Sequence, residues 1–111
     1  MAEHLVPIFR VANAREAVSW YQRLGFELTG EHQFEDGLPL YVFLQRGEVR
    51  LHLSEHTDDA PPRGVAYLFV DEIDSIAAEF GVTVESQPWG REIELTDPFE
   101  NRLRIGTTGT T

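Results

Sequence analysis

The chain has no cysteine among its 111 residues. A disulfide framework, thiolate metal sites and cysteine nucleophiles are thereby excluded, and a reducing, cytoplasmic setting is expected. No segment approaches 18 consecutive apolar residues, and no basic stretch leads into an apolar run at the N-terminus, so neither membrane insertion nor secretion is expected. Basic residues are few: nine Lys and Arg stand against nineteen Asp and Glu, a formal net charge of −10. This balance repels nucleic-acid phosphates and anionic membranes. It either attracts a cationic ligand or serves only solubility. A Gly-x-Ser-x-Gly nucleophile elbow, a glycine-rich phosphate loop and a His-Glu-x-x-His zinc helix are also missing. His4, His32, His52 and His56 are scattered, which makes surface or packing roles their default.

What remains is ordinary hydrophobic content, enough for one domain with a real core. Residues 6–11 read as a strand, with Pro7 favouring an edge, a bulge or a hinge. Asn13 caps a helix whose apolar face is Ala17, Val18, Tyr21 and Leu24, and Gly25 stops it. Strands follow at 27–34, 40–46 and 49–54, joined by turns at Asp36-Gly37 and Arg46-Gly47. Residues 57–64, with Asp58, Asp59, Pro61 and Pro62, read as a linker. The pattern then restarts, with a strand at 65–70, Asp71 as cap, a helical face of Ile73, Ile76, Ala77 and Phe80, and Gly81 as stop.

A shift of 59 residues places Val11 on Val70, Val18 on Ala77 and Tyr21 on Phe80. Each half is a strand, a helix and a group of antiparallel strands, a unit that cannot cover both faces of its sheet alone. The expected class is α+β, with two βαβββ pseudo-repeats at about 1–56 and 64–106 in a single domain spanning 1–106. Residues 107–111 have nothing apolar to bury and are expected to form a flexible tail.

The most informative block is Gln87-Pro88-Trp89-Gly90-Arg91-Glu92, continued through Asp97-Pro98 to Asn101 and Ile105. Pro88 fixes its own φ and Gly90 frees the backbone behind Trp89, so the indole is presented from a bend. A strand is expected from Arg91, a turn at Asp97-Pro98 and a second strand at 102–105. Trp89 is then either an aromatic packed on a small sheet or the guard of an entrance. The block resembles, nearly residue for residue, a segment of the bleomycin-binding resistance proteins, which belong to the vicinal-oxygen-chelate (glyoxalase and bleomycin-resistance) superfamily. Val6-Pro7-Ile8, Ala17-Val18 and Leu24-Gly25-Phe26 are similar to that family's first module, and Val65-Ala66-Tyr67-Leu68-Phe69-Val70 to the start of its second. One departure is Glu100, where the family usually carries glycine before the asparagine of the last hairpin. The resemblance implies a curved mixed sheet around a cavity.

Enzymes of this superfamily hold a divalent metal with His, Glu or Gln from both modules. The resemblance puts the ligand positions at Val6, near His52, at Val65 and at Arg104. Two valines and an arginine cannot coordinate a metal. His4 shares a strand face with Val6 and supplies at most one ligand. No catalysis and no cofactor are therefore expected, a metal entering only as part of metal-bleomycin.

With those positions apolar, the pocket becomes an organic one. Tyr67 and Phe69 share strand parity with Val65 and face it. Trp89 stands at its turn, and Phe34, Tyr41 and Phe43 are available from the first module. Tyr41 and Phe43 are assigned opposite facings, so that at most one meets a ligand. Glu35 and Asp36 resemble an acidic stretch that can meet a cationic tail, and beside Gly37 they equally fit plain turn chemistry. Arg104 opposes a cation and suits a carboxylate or phenolate. The resemblance implies a homodimer that exchanges its first strand about Pro7 and sequesters an aromatic, cationic glycopeptide antibiotic such as bleomycin, unmodified, with no role for nucleic acid or membrane. The alternative is a small-molecule-modifying enzyme or sensor of the same fold that uses Arg104 and His52.

Overall fold

Asn13 starts the first helix: its side chain accepts from the Glu16 amide at 3.1 Å, satisfying one of the free N–H groups of the first turn. The computed structural model describes residues 3–107. Its elements are β1 (Ile8–Arg10), α1 (Ala14–Arg23), β2 (Glu27–His32), β3 (Tyr41–Arg46), β4 (Val49–Ser54), β5 (Val65–Phe69), α2 (Ile73–Phe80), β6 (Glu85–Gln87), β7 (Gly90–Thr96) and β8 (Arg102–Gly106). They form an α+β chain of two repeat units. One unit contains the residues up to Gly64 together with Asp97–Asn101, and the other contains Val65–Thr96 and the residues from Arg102 onward. No helix among the described residues is long and apolar enough to cross a membrane.

The first unit carries a four-stranded sheet in the order β1-β4-β3-β2, with β1 parallel to β4 and the other neighbours antiparallel. The period of two sends Phe9, Val42, Leu44, Leu51 and Leu53 into the core with Ala14, Ala17 and Tyr21 of α1. Ile8, Tyr41, Phe43 and His52 therefore share the other face. This corrects the opposite facings expected for Tyr41 and Phe43: they lie two residues apart in one strand, and their ring centroids are 5.5 Å apart. Strand β1 is shorter than expected and begins after Pro7, whose carbonyl accepts from the His52 amide at 3.0 Å. A proline fits there because β1 is an edge strand. Strand β2 ends at His32, short of Phe34, and its register slips between Leu28 and Gly30. At Gly30 any Cβ would lie 3.0 Å from the Phe43 ring, a place for glycine in a bulge.

The second unit repeats the plan, with order β5-β8-β7-β6 and β5 parallel to β8. Leu68, Ile93, Leu95, Leu103 and Ile105 form its core with Ile73, Ile76 and Ala77 of α2. Asp71 is not the cap of α2; Glu72 holds that place and makes no side-chain capping bond. Gly81 ends the helix at φ 67° as expected. At the C-terminal end the Thr107 amide donates to the Arg91 carbonyl at 3.1 Å; the rest of the expected tail, residues 108–111, lies outside the described residues.

Buried polar groups of the first unit converge on Asp97. Its Oδ2 accepts from the Tyr21 hydroxyl at 2.8 Å and from Asn101 Nδ2 at 3.0 Å, and its Oδ1 accepts from the amides of Phe99 and Asn101 at 2.7 and 3.0 Å. Asn101, fully buried, also donates to the Arg10 carbonyl and accepts from the Gly64 amide. Burial, reinforced by the Asp97 charge, pushes the Tyr21 phenol far above its ordinary range. Glu100 occupies the left-handed region at φ 71°, keeping the turn geometry of a glycine with the wrong residue type. Glu100→Gly is expected to relieve this by more than the flexibility it adds to the unfolded chain, a gain of about 0.5–1 kcal/mol. Thermal denaturation checks this, and a lower melting temperature would contradict it.

Candidate functional site

In the first unit the exposed sheet face and the 55–64 loop border an open, shallow cavity of about 450 Å³ lined by His32, Phe34, Tyr41, Phe43, His56, Asp58 and Asp59. Phe34 is 70% exposed and meets His32 edge-on at 4.6 Å between centroids. Tyr41 and Phe43 both contact the His52 ring, at 5.2 and 4.9 Å. The Tyr41 hydroxyl lies 2.8 Å from His52 Nδ1. Burial, then the charge of Asp59, raises the Tyr41 pKa, while burial, then Arg50, lowers that of His52. Both shifts favour a neutral pair in which the phenol donates to Nδ1 and the imidazole proton sits on Nε2.

Of the expected ligand-binding residues only Phe34 and Tyr41 line this cavity; His52 lies behind Tyr41 and Phe43 without being part of the lining. Glu35 and Asp36 lie in the exposed turn before β3, where the Glu35 carbonyl accepts from the Leu38 amide at 3.0 Å, and neither is part of the lining. The turn reading of that pair is the one the geometry favours. Asp58 and Asp59 supply carboxylates instead, from the stretch read as a linker. Asp59 is fixed there by the Ser54 hydroxyl, which donates to its Oδ2 at 2.6 Å, and the same hydroxyl accepts from the His56 amide. Only long-range folding could assign these residues, since two aspartates near prolines carry the same signal in any surface loop.

The second unit exposes its own aromatic face. Tyr67 and Phe69 lie 4.7 Å apart on β5, on the same side as Val65, and Phe69 is 59% exposed. Gln87 pairs with Gly90, so Pro88 and Trp89 form a two-residue loop between β6 and β7. The fixed φ of Pro88 and the φ of 150° at Gly90 hold the indole out from this bend, 55% exposed. Trp89 is therefore not a core aromatic. A Cβ at Gly106 would meet the Tyr67 hydroxyl and lie 3.2 Å from the Arg91 carbonyl oxygen, so a side chain there would displace that hydroxyl.

Arg104 is not the free cation that its position suggested. Its Nη2 lies 3.2 Å from both oxygens of Glu92, and its guanidinium carbon sits 5.3 Å from the Tyr67 ring centroid. The Tyr67 hydroxyl donates to Glu92 Oε2 at 2.7 Å. This hydroxyl first, then Arg104 and the Trp89 indole N–H, hold the Glu92 carboxyl below its usual range despite burial. Glu92 in turn raises the Tyr67 phenol. Arg102 pairs with Glu94 in the same diagonal manner at 3.2 Å.

As to a metal, His52 has Nδ1 engaged by Tyr41, Val6 and Val65 offer no donor, and Arg104 is a cation already paired. This donor set does not fit a divalent ion. Among the described residues no three His, Asp or Glu side chains are arranged to hold one.

A family model described as glyoxalase superfamily protein matches residues 1–109. No curated protein sequence matches the chain. Among solved structures, a bleomycin-binding protein complexed with bleomycin is similar at 21% identity, covering 97% of this chain and 100% of its own, with a TM-score of 0.75. A bleomycin-binding protein from bleomycin-producing Streptomyces verticillus, complexed with copper(II)-bleomycin, is 25% identical over 96% of this chain and 98% of its own, with a TM-score of 0.68. A fosfomycin resistance protein from Listeria monocytogenes is 15% identical over 99% and 95%, with a TM-score of 0.73.

Proposed function

The chain belongs to the glyoxalase superfamily, and on that premise we propose that it binds and sequesters bleomycin-type antibiotics, flat aromatic ligands with a cationic tail, without changing them chemically. The observation that carries this reading is the cavity of the first unit, where Phe34, Tyr41 and Phe43 stand beside Asp58 and Asp59. Aromatic walls with nearby carboxylates suit an organic cation: stacking contributes about 1–3 kcal/mol per ring and a cation over a ring about 0.5–2. Trp89, Tyr67 and Phe69 give the second unit a further stacking surface. Supporting it are the two solved bleomycin-binding proteins that share the fold. Sequestration requires neither a nucleophile nor a resident metal, which agrees with Val6, Val65 and the paired Arg104. Within the same reading the protein is a cytoplasmic homodimer, hinged at Pro7, that needs no cofactor.

Calorimetric titration with copper(II)-bleomycin is expected to give saturable binding at submicromolar to micromolar ligand, with the ligand recovered unmodified. Absence of heat up to millimolar ligand would overturn the reading. A second reading, an enzyme or sensor of the same fold, is favoured by the similarity to a fosfomycin resistance protein. Turnover of the recovered ligand, or a stoichiometric metal in protein purified without chelators, would establish that one instead.

A further inference from the structure

Glu92 is only 9% exposed and lies on the sheet face that carries the Tyr67 and Phe69 rings and the Arg102–Glu94 pair, and nothing in a binding site for cations requires an arginine beside it. Two groups converge on its carboxylate. The Tyr67 hydroxyl donates to Oε2, and Arg104 reaches both oxygens. Strand register does not explain the choice, because the direct cross-strand partner of Arg104 is Glu94. The guanidinium instead leans diagonally across Tyr67 toward Glu92, where it is held between a ring and a carboxylate.

We propose that Glu92 sets the charge preference of this face: by occupying the Arg104 guanidinium it removes the positive charge that would exclude a cationic aromatic ligand and select an anionic one. The inference rests on the binding role proposed above and names the residue that decides which ligands that role admits. With Glu92 in place, Tyr67, Phe69 and Trp89 offer ring faces with no uncompensated cation among them. Without it, the same rings would surround a free guanidinium, a donor fork matched to carboxylates and phenolates.

Two rigid probes of opposite sign test this on the intact protein, 9-aminoacridine as the flat cation and anthracene-9-carboxylate as the flat anion. The wild-type protein is expected to prefer the cation. Glu92→Gln should weaken the cation about tenfold and strengthen the anion by a similar factor, since placing like charges together is costly. Arg104→Gln should shift the ratio the other way, and it carries the test alone if Glu92→Gln does not fold. A cation-to-anion ratio within about twofold of wild type in the folded variants, or no binding of either probe by the wild type, would overturn the proposal. Copper(II)-bleomycin titrated in parallel separates the two claims. Binding of the antibiotic with an unmoved ratio removes the role of Glu92 alone, whereas the expected swing without antibiotic binding removes bleomycin as the ligand and keeps Glu92 as the selector.

Discussion

Asp97→Ala is expected to destabilise the protein by about 3–5 kcal/mol, the largest loss from any single polar side chain in the first unit. The carboxylate is 4% exposed and accepts four hydrogen bonds, from the Tyr21 hydroxyl, the Asn101 side chain and the amides of Phe99 and Asn101. Alanine removes every acceptor and leaves the Tyr21 phenol and two amides without partners, each costing about 1–3 kcal/mol if buried and unpaired. For a chain of this size the melting temperature should fall by roughly 15–25 °C, and a protein of ordinary stability would be close to unfolding at 37 °C. Tyr21→Phe, which removes one donor and leaves the carboxylate three, should cost much less. Thermal melts at fixed protein concentration decide the matter: a fall of under about 5 °C for Asp97→Ala would mean that water replaces the lost acceptors.

Trp89→Ala is expected to weaken copper(II)-bleomycin binding by about 10–100-fold while leaving the melting temperature within about 2 °C. The affinity loss follows from one stacking surface at about 1–3 kcal/mol. The fold should tolerate the change because the indole is 55% exposed on a two-residue loop. Trp89→Phe separates ring from N–H: it retains stacking but loses the indole donor that acts on Glu92 and Tyr67, so affinity should recover most of the way. A large drop in melting temperature for Trp89→Ala would return the residue to a packing role. Unchanged affinity in a folded variant would remove it from the ligand surface.

Both predictions concern residues of one contiguous block, but the block makes only one of them legible. The exposure of Trp89 is a local consequence of Pro88 and Gly90, readable from chain geometry. The convergence on Asp97 spans 76 residues of sequence in the case of Tyr21, and no local rule joins those positions. Asp97-Pro98 announces a turn and nothing about its partners.

The alternation of apolar residues, the helix start at Asn13, the glycines at 25 and 81 and the repeat at 59 residues determined the α+β class and the two βαβββ units, because period, capping and turn conformation act over a few neighbours. The shared face of Tyr41 and Phe43 follows from the same period of two. Tertiary structure alone decided the rest. It placed Asp58 and Asp59, not Glu35 and Asp36, beside the aromatic rings, and it paired Arg104 diagonally with Glu92 in place of its register partner Glu94. Charge pairing depends on where long side chains meet across strands and loops, and sequence spacing records only where their backbones begin.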